Sequence, residues 1–158
     1  MTAQTPDTIT LDSKTYDVIG VDGLAPFDPR KYKIEPVAWI TSCYRGHISK
    51  FLVRDTHLIL EKLSVSTTRN VCPEINGQAP RVVAHATLSG NRTNNGNTLA
   101  TYEAIDSDLT YTGRLRIARE FIAVRYVHQG FQSSQAFQDV IDLEFSGGML
   151  VHEKNRSQ

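Results

Sequence analysis

Residues 141–151 read Ile141-Asp142-Leu143-Glu144-Phe145-Ser146-Gly147-Gly148-Met149-Leu150-Val151, and this stretch decides the fold. Ile141, Leu143 and Phe145 alternate with Asp142 and Glu144, the period of a strand with one face in a core and one in water. Gly147-Gly148 then supplies two residues that accept positive φ without steric cost, as a tight primed turn demands. Met149-Leu150-Val151 returns as the second arm.

The same grammar occurs twice upstream. Thr8-Ile9-Thr10-Leu11 leads through Asp12-Ser13-Lys14 into Thr15-Tyr16-Asp17-Val18-Ile19. Phe51-Leu52-Val53-Arg54 leads through Asp55-Thr56-His57 into Leu58-Ile59-Leu60. Both pairs are built of β-branched, aromatic and aliphatic residues around a polar break. The intervals differ and nothing else matches, so these are three hairpins and not a repeat.

Between the hairpins the signals are plainer. Pro26, Pro29 and Pro36 punctuate a loop, after which Val37 to Cys43 reads as a central strand carrying a buried Trp39. Leu58 to Thr67 alternates but changes phase at Glu61-Lys62, the mark of a bulge or of a strongly bent strand. Val82 to Leu88, Leu99 to Ile105 and Leu109 to Ile117 are further strands, and Phe51 is a core residue. Ala118 to Tyr126 has helical spacing, with Gly130 as a stop, although Ile122, Val124 and Tyr126 also alternate as a strand would. The expected fold is mainly β: a single curved antiparallel sheet, a half-barrel or roll built of hairpins, with one or two short helices.

With 158 residues the chain fits one domain, 1–158. Residues 1–7 and 153–158 are expected to fray, and 89–97 to form a mobile polar loop. Hydrophobic residues make up 40%, enough for a core without a metal or disulfide staple. Lys plus Arg and Asp plus Glu are 17 each, so no basic excess points to nucleic acid. No long apolar run points to a membrane, and no basic-then-apolar start points to export, so a cytoplasmic location is expected. Cys43 and Cys72 are read as two ordinary thiols rather than a disulfide.

Enzyme signatures are scarce. There is no phosphate loop, no dinucleotide fingerprint, no nucleophile elbow, no CxxC and no metal-spaced histidine pair, so no cofactor or metal is expected. Two clusters concentrate chemistry. The first is Cys43-Tyr44-Arg45-Gly46-His47, where a thiol beside Arg and His reads as a nucleophile or, more simply, as the end of a buried strand. The second is Arg125-Tyr126-Val127-His128-Gln129-Gly130-Phe131-Gln132, rich in donors and flat rings. Tyr44, Arg45, His47, Tyr126, His128 and Gln129 are the candidate binding residues. Their combined side chains suit an anionic or aromatic ligand.

His47-Ile48-Ser49 and His85-Ala86-Thr87 both read as His–apolar–hydroxyl. Two such segments facing one cleft resemble the two-histidine phosphoesterases, which implies acid–base roles for His47 and His85. The first copy ends in Lys50 where that family has an apolar residue, and the copies stand closer together than the family's. The favoured reading is a small non-catalytic protein that recognises another protein through an Arg/Tyr/His surface, such as a small bacterial partner that masks a surface. The alternative is the phosphoesterase-like hydrolase.

Overall fold

All three expected hairpins form, each around a primed turn with positive φ at both central residues. These are Asp12 and Ser13 (50° and 65°), Asp55 and Thr56 (50° and 66°), and Gly147 and Gly148 (56° and 89°). The structure is a computed structural model and describes residues 2–68, 72–84, 88–89, 92–93 and 97–157. Its strands are β1 (Thr8–Leu11), β2 (Lys14–Asp22), β3 (His47–Arg54), β4 (His57–Thr67), β5 (Arg81–Ala84) and β6 (Leu88–Ser89). They continue with β7 (Arg92–Thr93), β8 (Thr98–Tyr102), β9 (Ser107–Asp108), β10 (Gly113–Phe121), β11 (Phe137–Ser146) and β12 (Met149–Asn155).

The main sheet runs β12-β11-β10-β2-β1-β3-β4-β8-β5, with β9 on β4, while β6 and β7 pair separately. β12 also meets β4 through Met149 and His57, so β12, β11, β10, β2, β1, β3 and β4 form a closed ring. The closure joins two hairpin turns: Leu58 N–H donates to Gly148 O at 2.8 Å, and Leu150 N–H donates to Thr56 O at 2.7 Å. The fold is therefore mainly β and rolled, as the hairpins predict. It is mixed, because β1 and β3 run parallel with Thr8 opposite Lys50; among the described residues the other named strand pairs are antiparallel.

Alternation places the core inside the ring. Ile9, Phe51, Leu60, Ile117, Leu143 and Phe145 are buried in one cluster. Their neighbours point to the opposite face. There Ala118, Phe137 and Val140 make a second, smaller cluster with Ala136 and Ile19. The bulge falls where the phase change predicts it: Lys50 opposes Lys62 and Phe51 opposes Leu60, which leaves Glu61 as the extra residue.

Two local expectations are overturned. Ala118 to Tyr126 is not a helix. β2 pairs with β10 as far as Ala118, and β11 carries the pairing on to Phe121, opposite Phe137, so the chain stays in β10 to that residue, and only Ala123–Arg125 makes a single 3-10 turn. Cross-strand pairing outweighs the helical spacing. Val37 to Cys43 is not a strand either. Cys43 N–H donates to Ile40 O at 2.8 Å and folds the segment back on itself, and Trp39 is only half-buried. Phe51 is fully buried, as expected.

Among the described residues no helix is long and apolar enough to cross a membrane. Gln4, Thr5 and Asp7, and Arg156 and Ser157, in the stretches expected to fray, are hydrogen-bonded to neighbouring segments. Most of 89–97 lies outside the described residues; Asn97 at its end is buried.

Candidate functional site

The N-terminal segment links the two sequence clusters. Ala3 bridges to Gly130, and Gln4 N–H donates to Gly130 O at 2.7 Å. On its other side Thr5 N–H donates to Ser42 O at 2.8 Å. The Gln4 side chain donates to Thr41 O at 2.9 Å and accepts from Tyr44 N–H at 3.0 Å. The loop before β3 and the loop after β10 are thus held on either side of residues 3–7.

Arg45 secures this arrangement. Its guanidinium meets the Asp7 carboxylate through two bonds, 3.1 and 2.8 Å, and also donates to Thr5 O at 3.2 Å. Asp7 accepts a further bond from Ser49 N–H at 2.7 Å, which ties the pair to β3. The guanidinium also sits over the Phe131 ring, 5.8 Å from its centroid, so Arg45 touches the second cluster directly. Its charge is spent inside the protein.

His47 is half-buried, with Nδ1 3.2 Å from Arg45 O. Burial, then the Arg45 charge, pushes its pKa below the ordinary histidine value. Cys43 is buried and its thiol donates to His47 O at 3.7 Å. Burial pushes that thiol's pKa up despite Arg45 nearby, the opposite of what an activated nucleophile needs. No disulfide joins Cys43 to Cys72. His85, the second histidine of the phosphoesterase-like pattern, lies outside the described residues. Among the described residues no group of three or more His, Cys, Asp or Glu is placed to hold a metal.

The second cluster is open to solvent. Tyr126, His128 and Gln129 are exposed, and Tyr126 Oη shares a 2.9 Å hydrogen bond with His128 Nδ1. Phe121 packs edge-on against both Tyr126 and Phe137, with centroids 6.2 and 5.5 Å apart. Glu120, just before it, has a left-handed φ of 61°, a strained conformation for a residue with a Cβ.

Beside these rings the second cluster and the N-terminal segment enclose an open groove of about 320 Å³. Ile19, Phe121, Tyr126, Phe131 and Phe137 line it, together with Asp17. Arg45 and His47 are not part of the lining, and Tyr44 stands exposed nearby on the loop that the Gln4 side chain holds. Asp7, Asp17 and Phe121 were not singled out in the sequence. Asp17 alternates correctly for the outward face of β2, but its role depends on which loop covers that face.

No protein-family model, no curated protein and no solved structure matches this chain.

Proposed function

We propose that this is a non-catalytic binding protein that docks another protein on the surface formed by the 40–47 and 121–132 loops. One observation carries the reading: of the thirteen exposed large apolar side chains among the described residues, seven fall on these two short segments. Ile40, Tyr44, Phe121, Val124, Tyr126, Val127 and Phe131 are all exposed, with Val124 at 92%. Apolar side chains scattered singly over a surface are unremarkable, but a set on two tethered loops is the kind of patch that protein partners cover. Tyrosine and arginine at such a place are also the residue types that most often anchor an interface. In this reading Tyr44, Tyr126, His128 and Gln129 touch the partner, while Arg45 and His47 support the loop from beneath.

Affinity capture from the native host tests it, with wild type and Val124→Glu/Val127→Glu side by side. A co-purifying protein that falls at least tenfold with the double variant, at an unchanged melting temperature, supports the proposal. Identical captured sets overturn it. The hydrolase reading lacks support of this kind, because His85 lies outside the described residues and no cleft shared by the two histidines is described.

A further inference from the structure

Resting on that docking surface, we propose that the groove beside Asp17 receives a basic side chain, lysine or arginine, presented by the partner protein. Among the described residues of its lining the groove has one negative group and no positive one: Asp17 is the charged residue there. Its cross-strand neighbours, Thr8 in β1 and Ala118 in β10, offer no cation. Among the described residues the Asp17 carboxylate makes no hydrogen bond or ion pair. Burial alone pushes its pKa above the usual carboxylate range, with no neighbouring charge opposing it.

Three other polar side chains of the lining are occupied. Gln132 bonds both ways to the backbone of Val127, at 2.8 and 2.6 Å, and the Gln4 amide is spent on the 40–44 loop. The Tyr126 hydroxyl is engaged with His128. What remains for a ligand is the Asp17 carboxylate and the Thr5 hydroxyl, in a lining that also holds the rings of Phe121, Tyr126, Phe131 and Phe137. That pairing attracts a cation through charge and through the ring quadrupoles, and it gives an apolar stem a surface to lie on. A volume of about 320 Å³ is at the small end for ligand sites and suits one inserted side chain better than a larger molecule. The anionic ligand suggested by the Arg/Tyr/His composition is disfavoured, because Asp7 neutralises Arg45 and Asp17 repels an anion.

The test uses the full chain, 15N-labelled, titrated with three capped tripeptides, Gly-Lys-Gly, Gly-Arg-Gly and Gly-norleucine-Gly, and separately with n-butylammonium. Saturable amide shifts at Asp17, Ile19 and Phe121 are expected with the lysine or arginine peptide. Binding should be at least tenfold weaker with norleucine and at least tenfold weaker in Asp17→Asn. Equal binding of norleucine, or unchanged binding in Asp17→Asn, overturns the proposal. Binding of n-butylammonium without either basic peptide overturns the protein side chain as occupant. If neither basic peptide binds while Val124→Glu/Val127→Glu still releases a captured partner, the basic side chain falls and the docking surface stands. Peptide binding with no captured protein sensitive to that double variant overturns the docking surface and with it this occupant.

Discussion

Arg45 and Asp7 face each other with two N–H···O bonds, and through them a loop, the N-terminal segment and β3 share one ion pair. Both side chains are substantially buried, at 29% and 13% exposure, so neither loses its partner without consequence. Asp7→Ala would strand the guanidinium and the Ser49 N–H together, and should cost about 2–3 kcal/mol. Arg45→Ala should cost about 2 kcal/mol by chemical denaturation. A cycle through the double variant should show the two losses to be non-additive. Additive losses would mean that the pair is not a unit.

Two of the hairpins hold L-residues where glycine is at ease. Thr56 is β-branched at φ 66° and exposed. Replacing Asp55-Thr56 by Asn-Gly should stabilise the protein by about 1 kcal/mol in the same assay. Gly148 tests the converse. A Cβ there would lie 1.9 Å from Leu109 O, whereas one on Gly147 meets nothing within 4 Å. Gly148→Ala should therefore cost about 3 kcal/mol or more and Gly147→Ala only about 1 kcal/mol.

Two aspartates respond to acid in opposite senses. The hydrogen bond from Arg116, then that from Arg156, holds the Asp142 pKa below its ordinary value against the effect of burial. Its stabilisation is present above the unfolded-state value of about 3.9 and is lost as pH falls through the lower folded value. Asp17 is raised by burial, so ionising it costs the native state. That penalty is full above the folded value and is relieved as pH falls through it toward about 3.9. Asp17→Asn should melt above wild type at pH 7, with the gap closing near pH 4. A binding residue that weakens the fold is a common pattern. A lower melting temperature for Asp17→Asn at pH 7 would contradict the account.

Thiol chemistry gives a quick check on the buried cysteine. Native protein treated with iodoacetamide at pH 7 should be labelled at Cys72, which is half-buried, well before Cys43. Cys43 should react at a comparable rate only after denaturation. Fast native labelling at Cys43 would reopen the reading of that thiol as a nucleophile.

The hairpins and the Glu61 bulge were legible because each depends on a few adjacent residues: a turn that tolerates positive φ, or a broken alternation. The end of β10 was not. Ala118 to Tyr126 satisfies two periodicities, and pairing with β11, beyond the next loop, decides between them as far as Phe121. Trp39 was misplaced for a related reason, since alternation over Val37 to Cys43 does not show that the chain turns back at Ile40. The six candidate site residues were chosen for chemistry at the ends of elements, and the structure draws both clusters to the same N-terminal segment. Composition could not reveal that Arg45 is consumed by Asp7, or that Asp17 has no counter-charge among the described residues. Both are facts about distant partners.

The ring closure through Met149 and His57 sets where the barrel breathes. β10 and β11 are paired over nearly their whole length, but β12 and β4 share a single residue pair and the bonds of two turns. Opening that seam breaks few bonds and leaves the remaining strand order intact, so it is the cheapest sub-global excursion available to the ring. In hydrogen exchange the amides of Leu58 and Leu150 would report this excursion, while Leu115 and Leu143 would exchange only when the whole domain comes apart. The protein then behaves as a rolled strip with a clasp.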